Sequence, residues 1–369
     1  MSYMKTIQCD TSYEYIISMD NLLCAWSEFL RGKRGRKDVQ IFESRLMDNL
    51  FDLHHDLKNK TYQHAPYHAF NISDPKPRNI HKASVRDRVL HRVLYRVLYS
   101  FFDRTFIADS YSCRLGRGTH KALDRFREFG YRASHNHTRT VWVLKCDVRK
   151  FFASIDHKVL FKILARYISD SDILKLLNII ISSFDSGIPG RGLPLGNLTS
   201  QLLVNIYMNQ LDQFVKHKLK ATYYIRYADD FVVFSQDKMW LRRMLVRIEN
   251  FLKDTLTLDL HPRKVSIETI ASGVDFLGWV HFPAHRILRT ITKRRMLKGV
   301  IGCDELSPVV QSYRGLLQHG NSTKLSRKVD NLLGDSSLFY GCLILSYILR
   351  NAPTHLPQNY DFQTMQKPL

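Results

Sequence analysis

The sequence predicts an α+β fold, in which helices pack against antiparallel hairpins. Long segments place apolar residues at helical spacing, shorter β-prone apolar runs lie between them, and two such runs flank the tetrad Tyr227-Ala228-Asp229-Asp230 as a hairpin. We find no internal repeat, low-complexity region or long linker. An apolar fraction of 44% supplies a sizeable core, and the length suggests roughly two or three domains.

The N-terminal elements are predicted from apolar spacing and from proline. The first 60 residues look helical, interrupted by the basic, glycine-containing loop 31–37, which is either solvated or in contact with phosphates. Residues 66–82 are expected to be extended with turns, because Asp74-Pro75-Lys76-Pro77-Arg78 holds two prolines. A helix should follow over 86–102, where the aliphatic residues share one broad face.

The remaining elements follow in order. Residues 140–146 form a β-prone run that ends at Asp147, and residues 157–184 are predicted as one helix. The stretch 187–196 holds four glycines and two prolines, so it is a loop before a second helix over 198–219. Residues 274–282 are β-like. From residue 286 onward the chain is predicted to be helical and basic. Its run 286–298 is expected to line a duplex groove, to bind structured RNA, or to be a solvated helix face.

The charge of the chain favours a polyanionic partner. Lysine and arginine total 55 against 34 acids, a net charge of +21 that runs the whole length, and the usual partner of such a surface is nucleic acid. A protein that is merely basic is the alternative.

The cysteine positions and the hydropathy of the chain indicate the cellular compartment of the protein. The six cysteines are scattered without a C-x-x-C pair, which indicates a reducing compartment without disulfides or structural zinc. The histidines at 54, 55, 64 and 68 have no cysteine nearby, so they are better explained as solvated or backbone-bonded residues than as zinc ligands. No run is long enough to cross a membrane, and the N-terminus does not resemble a signal peptide. We therefore expect a cytoplasmic protein.

The chemistry is concentrated at Asp229 and Asp230. Two adjacent carboxylates between buried strands are costly unless a cation compensates them, and hard divalent cations prefer carboxylate oxygens. Asp147 ends another apolar strand, and if the two strands are neighbours, Asp147 and Asp229 can share two metal ions. The alternative is that these aspartates are turn or N-cap residues, which is more plausible for Asp147 than for the pair.

At this point the chain resembles a reverse transcriptase. The tetrad between apolar strands and the segment Asp147-Val148-Arg149-Lys150-Phe151-Phe152 resemble its palm motifs. The other expected blocks occur in order over residues of about 60 to 320. They are 74–78 with 87–89 as the fingers block, 110–118 before the palm, Lys264 after the catalytic hairpin, and Phe276-Leu277-Gly278-Trp279 as the primer grip.

The block Leu193-Pro194-Leu195-Gly196-Asn197-Leu198-Thr199-Ser200-Gln201 narrows the resemblance. Intron-type and retron-type enzymes usually carry a Gln-Gly and Ser-Pro version, whereas the Leu-Gly-x-x-x-Ser-Gln form resembles the reverse transcriptases of diversity-generating retroelements, a branch of the group II intron-like superfamily. Segments 312–315 and 319–321 resemble the thumb of that group. Because the sequence stops at residue 369, we expect no endonuclease or maturase domain, which fits the same group.

The resemblance implies a role for each matching residue. The catalytic set is Asp147, Asp229, Asp230 and Lys264, with Lys264 as a general acid toward pyrophosphate or simply a solvated lysine. Two Mg²⁺ ions (or Mn²⁺) would be held at Asp147, Val148, Asp229 and Asp230. The nucleotide-binding set is Lys76, Arg78, Phe152 and Gln201, with Phe152 excluding a 2′-hydroxyl or simply belonging to the core. Template contact and fidelity are tied to Leu195, Gly196, Ser200 and Arg78.

The resemblance also implies a right-hand polymerase. The expected parts are an N-terminal helical extension (1–60), fingers (61–139), palm (140–156), a fingers–palm connection (157–196), palm again (197–284), and thumb with C-terminal helices (285–369). The expected activity is RNA-directed DNA synthesis by two-metal phosphoryl transfer, producing adenine-mutagenised cDNA from a template-repeat RNA for mutagenic retrohoming. An antiphage or domesticated reverse transcriptase, or an inactive RNA-binding scaffold, are the alternatives.

The implied partners are template RNA with structured flanks, the cDNA/RNA duplex, deoxynucleoside triphosphates and a small basic accessory protein that forms a pentameric barrel. Two basic proteins repel each other, so such a contact requires local acidic or apolar patches or an RNA bridge.

Overall fold

The computed structural model describes residues 9, 11–73 and 77–333, and the chain divides into two units, Met1–Leu277 and Gly278–Leu369. Helices dominate the described part of the first unit. They are α1 (Tyr13–Ile17), α2 (Met19–Leu30), α3 (Lys37–Glu43), α4 (Leu46–Lys58), α5 (Val85–Phe102), α6 (Thr119–Ala133), α7 (Phe151–Ser154), α8 (His157–Leu164), α9 (Ser171–Ser182), α10 (Leu198–Gln213) and α11 (Lys238–Leu256).

An antiparallel sheet of four strands carries the acidic residues. Its order is β4-β5-β3-β6, and β4 and β5 form the hairpin that the sequence predicts around the tetrad. A separate hairpin pairs β1 with β2. The strands of this unit are β1 (His68–Ile72), β2 (Arg78–Lys82), β3 (Trp142–Asp147), β4 (Tyr224–Tyr227), β5 (Asp230–Ser235), β6 (Ser266–Thr269) and β7 (Val274–Phe276).

Two helices pass through the core of this unit. Helix α5 begins after Ser84, whose side chain accepts from the backbone N–H of Asp87, and it packs against α2 and α10. Helix α10 buries residues on every side, including the polar Asn205 and Asp212. A helix that is buried all round lies inside a core, so α10 is a fixed support behind the sheet.

Three predicted elements differ from the structure. The helix expected over 157–184 is two helices, because Asp170 caps α9 by accepting from the N–H groups of Asp172 and Ile173. The helix expected over 198–219 leaves α-helical geometry after Gln213 and finishes as a π-turn, Phe214–Lys218. The chain after residue 286 begins with a strand rather than a helix. Helices α6 and α11 were missed, although buried residues such as Leu241, Met244 and Ile248 recur at helical spacing.

The second unit begins with the hairpin β8 (Trp279–His281) and β9 (Arg286–Leu288), followed by α12 (Thr290–Val300) and α13 (Pro308–Leu317). Residues 323–333 are also helical. Gly320 packs on the indole of Trp279 so closely that an added Cβ would lie 2.0 Å from a ring carbon. Only glycine fits there without moving the indole. The finer division into fingers, palm and thumb stays a prediction.

The described cysteines are scattered through the structure. Cys9, Cys24, Cys113, Cys146 and Cys303 are free thiols. The clustered histidines bond to other groups: His54 Nδ1 lies 2.9 Å from the carbonyl of Ile17, and His55 pairs with Asn59. No helix among the described residues is long and apolar enough to span a membrane.

A buried polar cluster joins the segment before β1 to α5. Asp87, fully buried on α5, accepts from the Tyr62 hydroxyl at 2.7 Å and from the Ser84 hydroxyl at 2.6 Å. His64 Nε2 lies 3.3 Å from Nε2 of the buried His91. Burial lowers the pKa of His91 to about 3, with the neighbouring His64 and Arg88 adding to the effect. His91 is therefore neutral in the folded protein at neutral and mildly acidic pH.

This neutral histidine predicts acid sensitivity. Between pH 6.5 and 3 the unfolded chain binds a proton at His91 and the folded chain does not, so stability falls as pH falls through this window. Between pH 7 and 5 His91 should account for about 2 kcal/mol of the loss, at about 1.4 kcal/mol per pH unit below 6.5. Thermal melts of His91→Leu should show a correspondingly smaller loss of stability from pH 7 to 5. The exposed His55→Leu is the control, and identical pH slopes for His91→Leu and the parent would contradict the assignment.

Candidate active site

The sheet brings Asp147, Asp229 and Asp230 together at one end. Asp147, the last residue of β3, lies opposite Asp230, the first residue of β5. Between β4 and β5 the chain turns through Ala228 and Asp229, and the N–H of Val148 donates to the carbonyl of Asp229 at 3.2 Å. The two acidic strand ends, predicted to be neighbours, are therefore adjacent in the sheet.

Lys264 joins this group from the segment after α11. Its Nζ donates to Asp147 Oδ1 at 2.8 Å and Oδ2 at 3.0 Å. The approach is fixed by the backbone, because the His261 N–H donates to the carbonyl of Asp147 at 2.7 Å and the Lys264 N–H donates to the carbonyl of His261. The Lys264 side chain is 45% exposed and the Asp147 side chain is 16% exposed. The lysine thus reaches a half-buried carboxylate from the solvent side.

Asp229 and Asp230 are the carboxyl groups of the site whose pKa values are raised. Burial, with the Asp147 carboxylate as the next cause, raises the pKa of Asp229. Burial also raises the pKa of Asp230 to about 7, helped by Asp147, Asp229 and Asp275, although Lys145 acts in the opposite direction. Asp230 Oδ1 is buried and has no hydrogen-bond partner. The site thus holds more negative charge than its protein neighbours neutralise.

These residues fit a divalent cation by charge. A cation would remove the repulsion between the carboxylates and supply a partner for the orphaned oxygen of Asp230. Within 9, 11–73 and 77–333, no three histidine, cysteine, aspartate or glutamate side chains are arranged as a ready-made metal cluster. Lys264 donates to both oxygens of Asp147, and each oxygen keeps a further lone pair that a cation could use.

The loop before α10 docks on β2. The N–H of His81 donates to the carbonyl of Leu195 at 3.0 Å, and the Asn197 amide donates to the carbonyl of His81 at 2.8 Å. Gly196 has φ +103°, and a Cβ there would lie 2.8 Å from Ile80 Cγ2. Glycine is thus required both for the backbone conformation and for the close approach.

The same docking places predicted nucleotide and template residues near each other. Arg78 begins β2, and its positive charge acts on Asp229 to lower the pKa of that carboxyl. Ser200 is buried in the first turn of α10, and Gln201 follows it half-buried. The carbonyl of Phe152 accepts from the N–H of Leu193 at 2.8 Å, so Phe152 is tied to the same loop. Its ring packs partly into the core.

The predicted primer-grip residues are divided between the two units. In the first unit, Phe276 is fully buried and stacks on Phe126 with ring centroids 5.3 Å apart. Leu277 has φ +50°. In the second unit, Gly278 has φ +87° and Trp279 is buried. Lys76, predicted to bind nucleotide, lies outside the described residues.

Sequence reasoning missed four charged residues around the site. Lys145 on β3 donates to the carbonyl of Asp275 at 2.5 Å, and both residues influence the pKa of Asp230. Arg226 on β4 and Asp212 on α10 form a fully buried ion pair behind the turn. The signal for Arg226 was available, because a charged residue in the middle of an apolar strand is seldom buried without a partner.

Comparison with known proteins places this site in a family. Residues 72–281 match the family described as reverse transcriptase (RNA-dependent DNA polymerase). Protein YkfC of Escherichia coli K12 is 26% identical over 288 residues, covering 68% of this chain and 74% of that protein. The group II intron-encoded protein LtrA of Lactococcus lactis is 22% identical over 300 residues, covering 60% of this chain and 48% of LtrA. A putative COX1/OXI3 intron 1 protein of Saccharomyces cerevisiae is 25% identical, and the match spans only 24% of its length.

The chain belongs to the reverse transcriptase family, whose members are RNA-dependent DNA polymerases. It is similar to group II intron-encoded members in particular. Among solved structures, an apo telomerase from Candida tropicalis truncated from its C-terminal domain aligns with a TM-score of 0.47 at 12% identity, covering 66% of this chain and 60% of that one. The predicted α+β, right-hand polymerase fold class is confirmed by the mixed architecture and the family match.

Proposed function

We propose that this reverse transcriptase copies a template-repeat RNA of a diversity-generating retroelement into cDNA that is mutagenised at adenines. The polymerase chemistry rests on the convergence of Asp147, Asp229 and Asp230 at one end of the sheet, with Lys264 bonded to Asp147. The proposed assignment to this subfamily rests on the Leu-Gly-x-x-x-Ser-Gln block. Leu195 and Gly196 of this block contact β2, the strand that begins with Arg78.

The carboxylates provide for phosphoryl transfer. A primer 3′-hydroxyl attacks the α-phosphorus of the triphosphate, its proton passes to solvent water, and the bond to pyrophosphate breaks. Asp147 and Asp229 would hold Mg²⁺, which would supply Lewis-acid stabilisation of the phosphate charge. Asp230 supports these ligands from the opposite strand position. Lys264, once released from Asp147, lies within the site as the donor of a proton to the departing pyrophosphate.

The nucleotide pocket is assigned to residues around β2 and the loop. Arg78 supplies a guanidinium fork for the triphosphate, and Lys76 is proposed to add a second positive charge. Phe152 is proposed to lie under the sugar and to reject a 2′-hydroxyl, and Gln201 to face the nascent pair. At the primer grip, Phe276 and Trp279 are buried, so the contact with primer is assigned to the backbone of the Leu277–Gly278 segment.

The proposed error bias depends on how Leu195 and Gly196 meet the template base. Glycine at 196 leaves no side chain between the loop and Ile80, and the half-buried Leu195 is the larger group available to face the nascent pair. A looser grip lowers the free-energy penalty of a mismatch, and each 1.4 kcal/mol of lost discrimination raises misinsertion about tenfold.

Single-nucleotide insertion on RNA templates tests this specificity. The templates differ only in whether A, C, G or U stands at the test position, so each template is a control for the other three. The ratio of incorrect to correct insertion, as kcat/KM, should be about tenfold or more higher opposite adenine. Equal ratios opposite all four bases would leave the polymerase activity intact and refute the adenine-directed function.

The proposed partners follow from charge and from the family. A chain of net charge +21 is suited to bind structured RNA flanking the template as well as the product duplex. A pentameric basic accessory protein is proposed to join through such RNA or through a local acidic or apolar patch. An imperfect repeat pair in the neighbouring DNA, differing mainly at adenines, would support this retroelement; its absence would favour an antiphage or domesticated enzyme.

A further inference from the structure

Arg226, the residue just before the Tyr-Ala-Asp-Asp tetrad, is a fully buried arginine paired with a fully buried aspartate. Its Nε donates to Asp212 Oδ1 and its Nη2 to Asp212 Oδ2, both at 2.7 Å. The Tyr224 hydroxyl also donates to Asp212 Oδ1 at 2.7 Å. A bidentate pair of this kind fixes the plane of the guanidinium as well as its charge. Helix α10, which carries Asp212, therefore sets the orientation of Arg226.

The remaining donors of Arg226 reach the catalytic turn and its surroundings. Nη1 donates to the carbonyl of Ala228 at 3.1 Å and to Asn205 Oδ1 at 3.2 Å, and Nη2 donates to the Ser110 hydroxyl at 3.0 Å. The backbone of Arg226 exchanges hydrogen bonds with Asp109 and Tyr111. One guanidinium thus connects α10, the segment 109–111 and the turn that holds Asp229.

The turn needs such support because of its backbone conformation. Ala228 has φ +55°, a left-handed conformation that a non-glycine residue adopts at a cost in free energy. Three successive residues of the turn are held from outside. Thr119 bonds the Tyr227 hydroxyl at 3.0 Å, Arg226 bonds the Ala228 carbonyl, and the Val148 N–H bonds the Asp229 carbonyl. Of these, only the Arg226 bond comes from a buried charged group.

We propose that Arg226 is a positioning residue for catalysis, which holds the Ala228 carbonyl so that the Asp229 carboxylate points toward Asp147, with Asp212 as the clamp that orients Arg226. The inference rests on the proposed catalytic role of Asp229. A buried ion pair adds little net stability compared with apolar residues of similar volume. The contribution of this pair is therefore expected in the geometry of the turn and in the binding of Mg²⁺, rather than in the stability of the fold.

The test removes the pair without leaving a charge unpaired. A triple variant, Tyr224→Phe with Asp212→Leu and Arg226→Met, is compared with Tyr224→Phe alone, which keeps the bond from Arg226 to Ala228. The single variant Arg226→Lys keeps the positive charge beside Asp212 but lacks the fork that reaches Asp212 and Ala228 together. Circular dichroism and thermal melts establish that each protein is folded before kinetics are compared.

The expected result separates positioning from a merely structural role. In the triple variant and in Arg226→Lys, kcat for RNA-templated incorporation should fall by about 10- to 100-fold and the Mg²⁺ concentration for half-maximal rate should rise several-fold, whereas KM for primer-template stays near parental. Parental kcat and parental Mg²⁺ dependence in folded Arg226→Lys would overturn the inference. Asp229→Ala in the same assay separates the two proposals. If Asp229→Ala is inactive while Arg226→Lys is parental, only the role of Arg226 is refuted. If Asp229→Ala is active, the proposed catalytic site itself is refuted.

Discussion

Replacing Asp147 by asparagine should lower kcat for RNA-templated nucleotide incorporation by about 10³-fold, with little change in KM for primer-template. The substitution keeps the shape of the side chain but removes the negative charge opposite Asp230 in the sheet register. Steady-state single-nucleotide extension over a Mg²⁺ series measures the effect. The exposed residue Asp254 on α11 provides the matched control, because Asp254→Asn makes the same chemical change away from the site and should leave kcat unchanged.

The ion pair with Lys264 requires a second comparison. Asp147→Asn also removes the carboxylate that Lys264 contacts in this structure, so a loss of activity could arise from misplacing the lysine. Lys264→Met removes the proton donor and leaves Asp147 unpaired; its kcat should fall by about 10²-fold, the usual contribution of a general acid. If Lys264→Met loses as much kcat as Asp147→Asn, the effect of Asp147→Asn is explained mainly by the misplaced lysine. If Asp147→Asn keeps parental kcat, Asp147 has no role in catalysis.

Asp230→Asn should make the metal-free protein more stable at pH 8 even though it weakens the proposed site. The folded-state pKa of Asp230 is raised from 3.8 to about 7, chiefly by burial. Between these values the folded protein binds a proton that the unfolded chain does not, so this carboxyl destabilises the fold progressively as pH rises from about 4 to 7. The asparagine variant carries no such charge and should be more stable at pH 8 by up to about 4 kcal/mol, at about 1.4 kcal/mol per pKa unit.

Denaturant unfolding in the presence of a chelator measures this difference. The difference between variant and parent should shrink steadily as pH falls from about 7 to 4, because below pH 4 Asp230 is protonated in both the folded and the unfolded parent. Added Mg²⁺ should stabilise the parent more than the variant at pH 8, because a ligand that binds the native state stabilises it. Asp254→Asn again serves as the control. A variant that is less stable than the parent at pH 8, or a difference that does not change with pH, would show that the Asp230 carboxylate is not strained by burial.

The acidic strand ends were predictable from the sequence because the information is local. Apolar runs on either side of Asp229 and Asp230 define the hairpin, and the run ending at Asp147 defines its partner. Their pairing was a hypothesis that the sheet register now supports. The glycine at 196 was likewise recognisable as part of a motif, although its need to approach Ile80 depends on a strand more than a hundred residues away.

The contacts that were missed depend on long-range packing. Asp212 is the charged residue of α10, and only the fold places it against Arg226. The orphaned oxygen of Asp230 and the ion pair of Lys264 with Asp147 are likewise set by neighbouring segments rather than by any motif. The helix break at Asp170 was predictable in principle, because aspartate is a strong N-cap. It was missed because apolar residues at helical spacing occur on both sides of Asp170.

The central claim is that Asp229 and its neighbouring carboxylates catalyse RNA-templated DNA synthesis. A labelled DNA primer annealed to an RNA template, with one complementary deoxynucleoside triphosphate and Mg²⁺, tests it most directly when extended primer and released pyrophosphate are both quantified for the parent and for Asp229→Ala. The parent should release one pyrophosphate per added nucleotide, and folded Asp229→Ala should fall to the level of a reaction without protein. Equal extension by the two proteins would contradict the assignment of this site, and no extension by the folded parent would favour an RNA-binding scaffold.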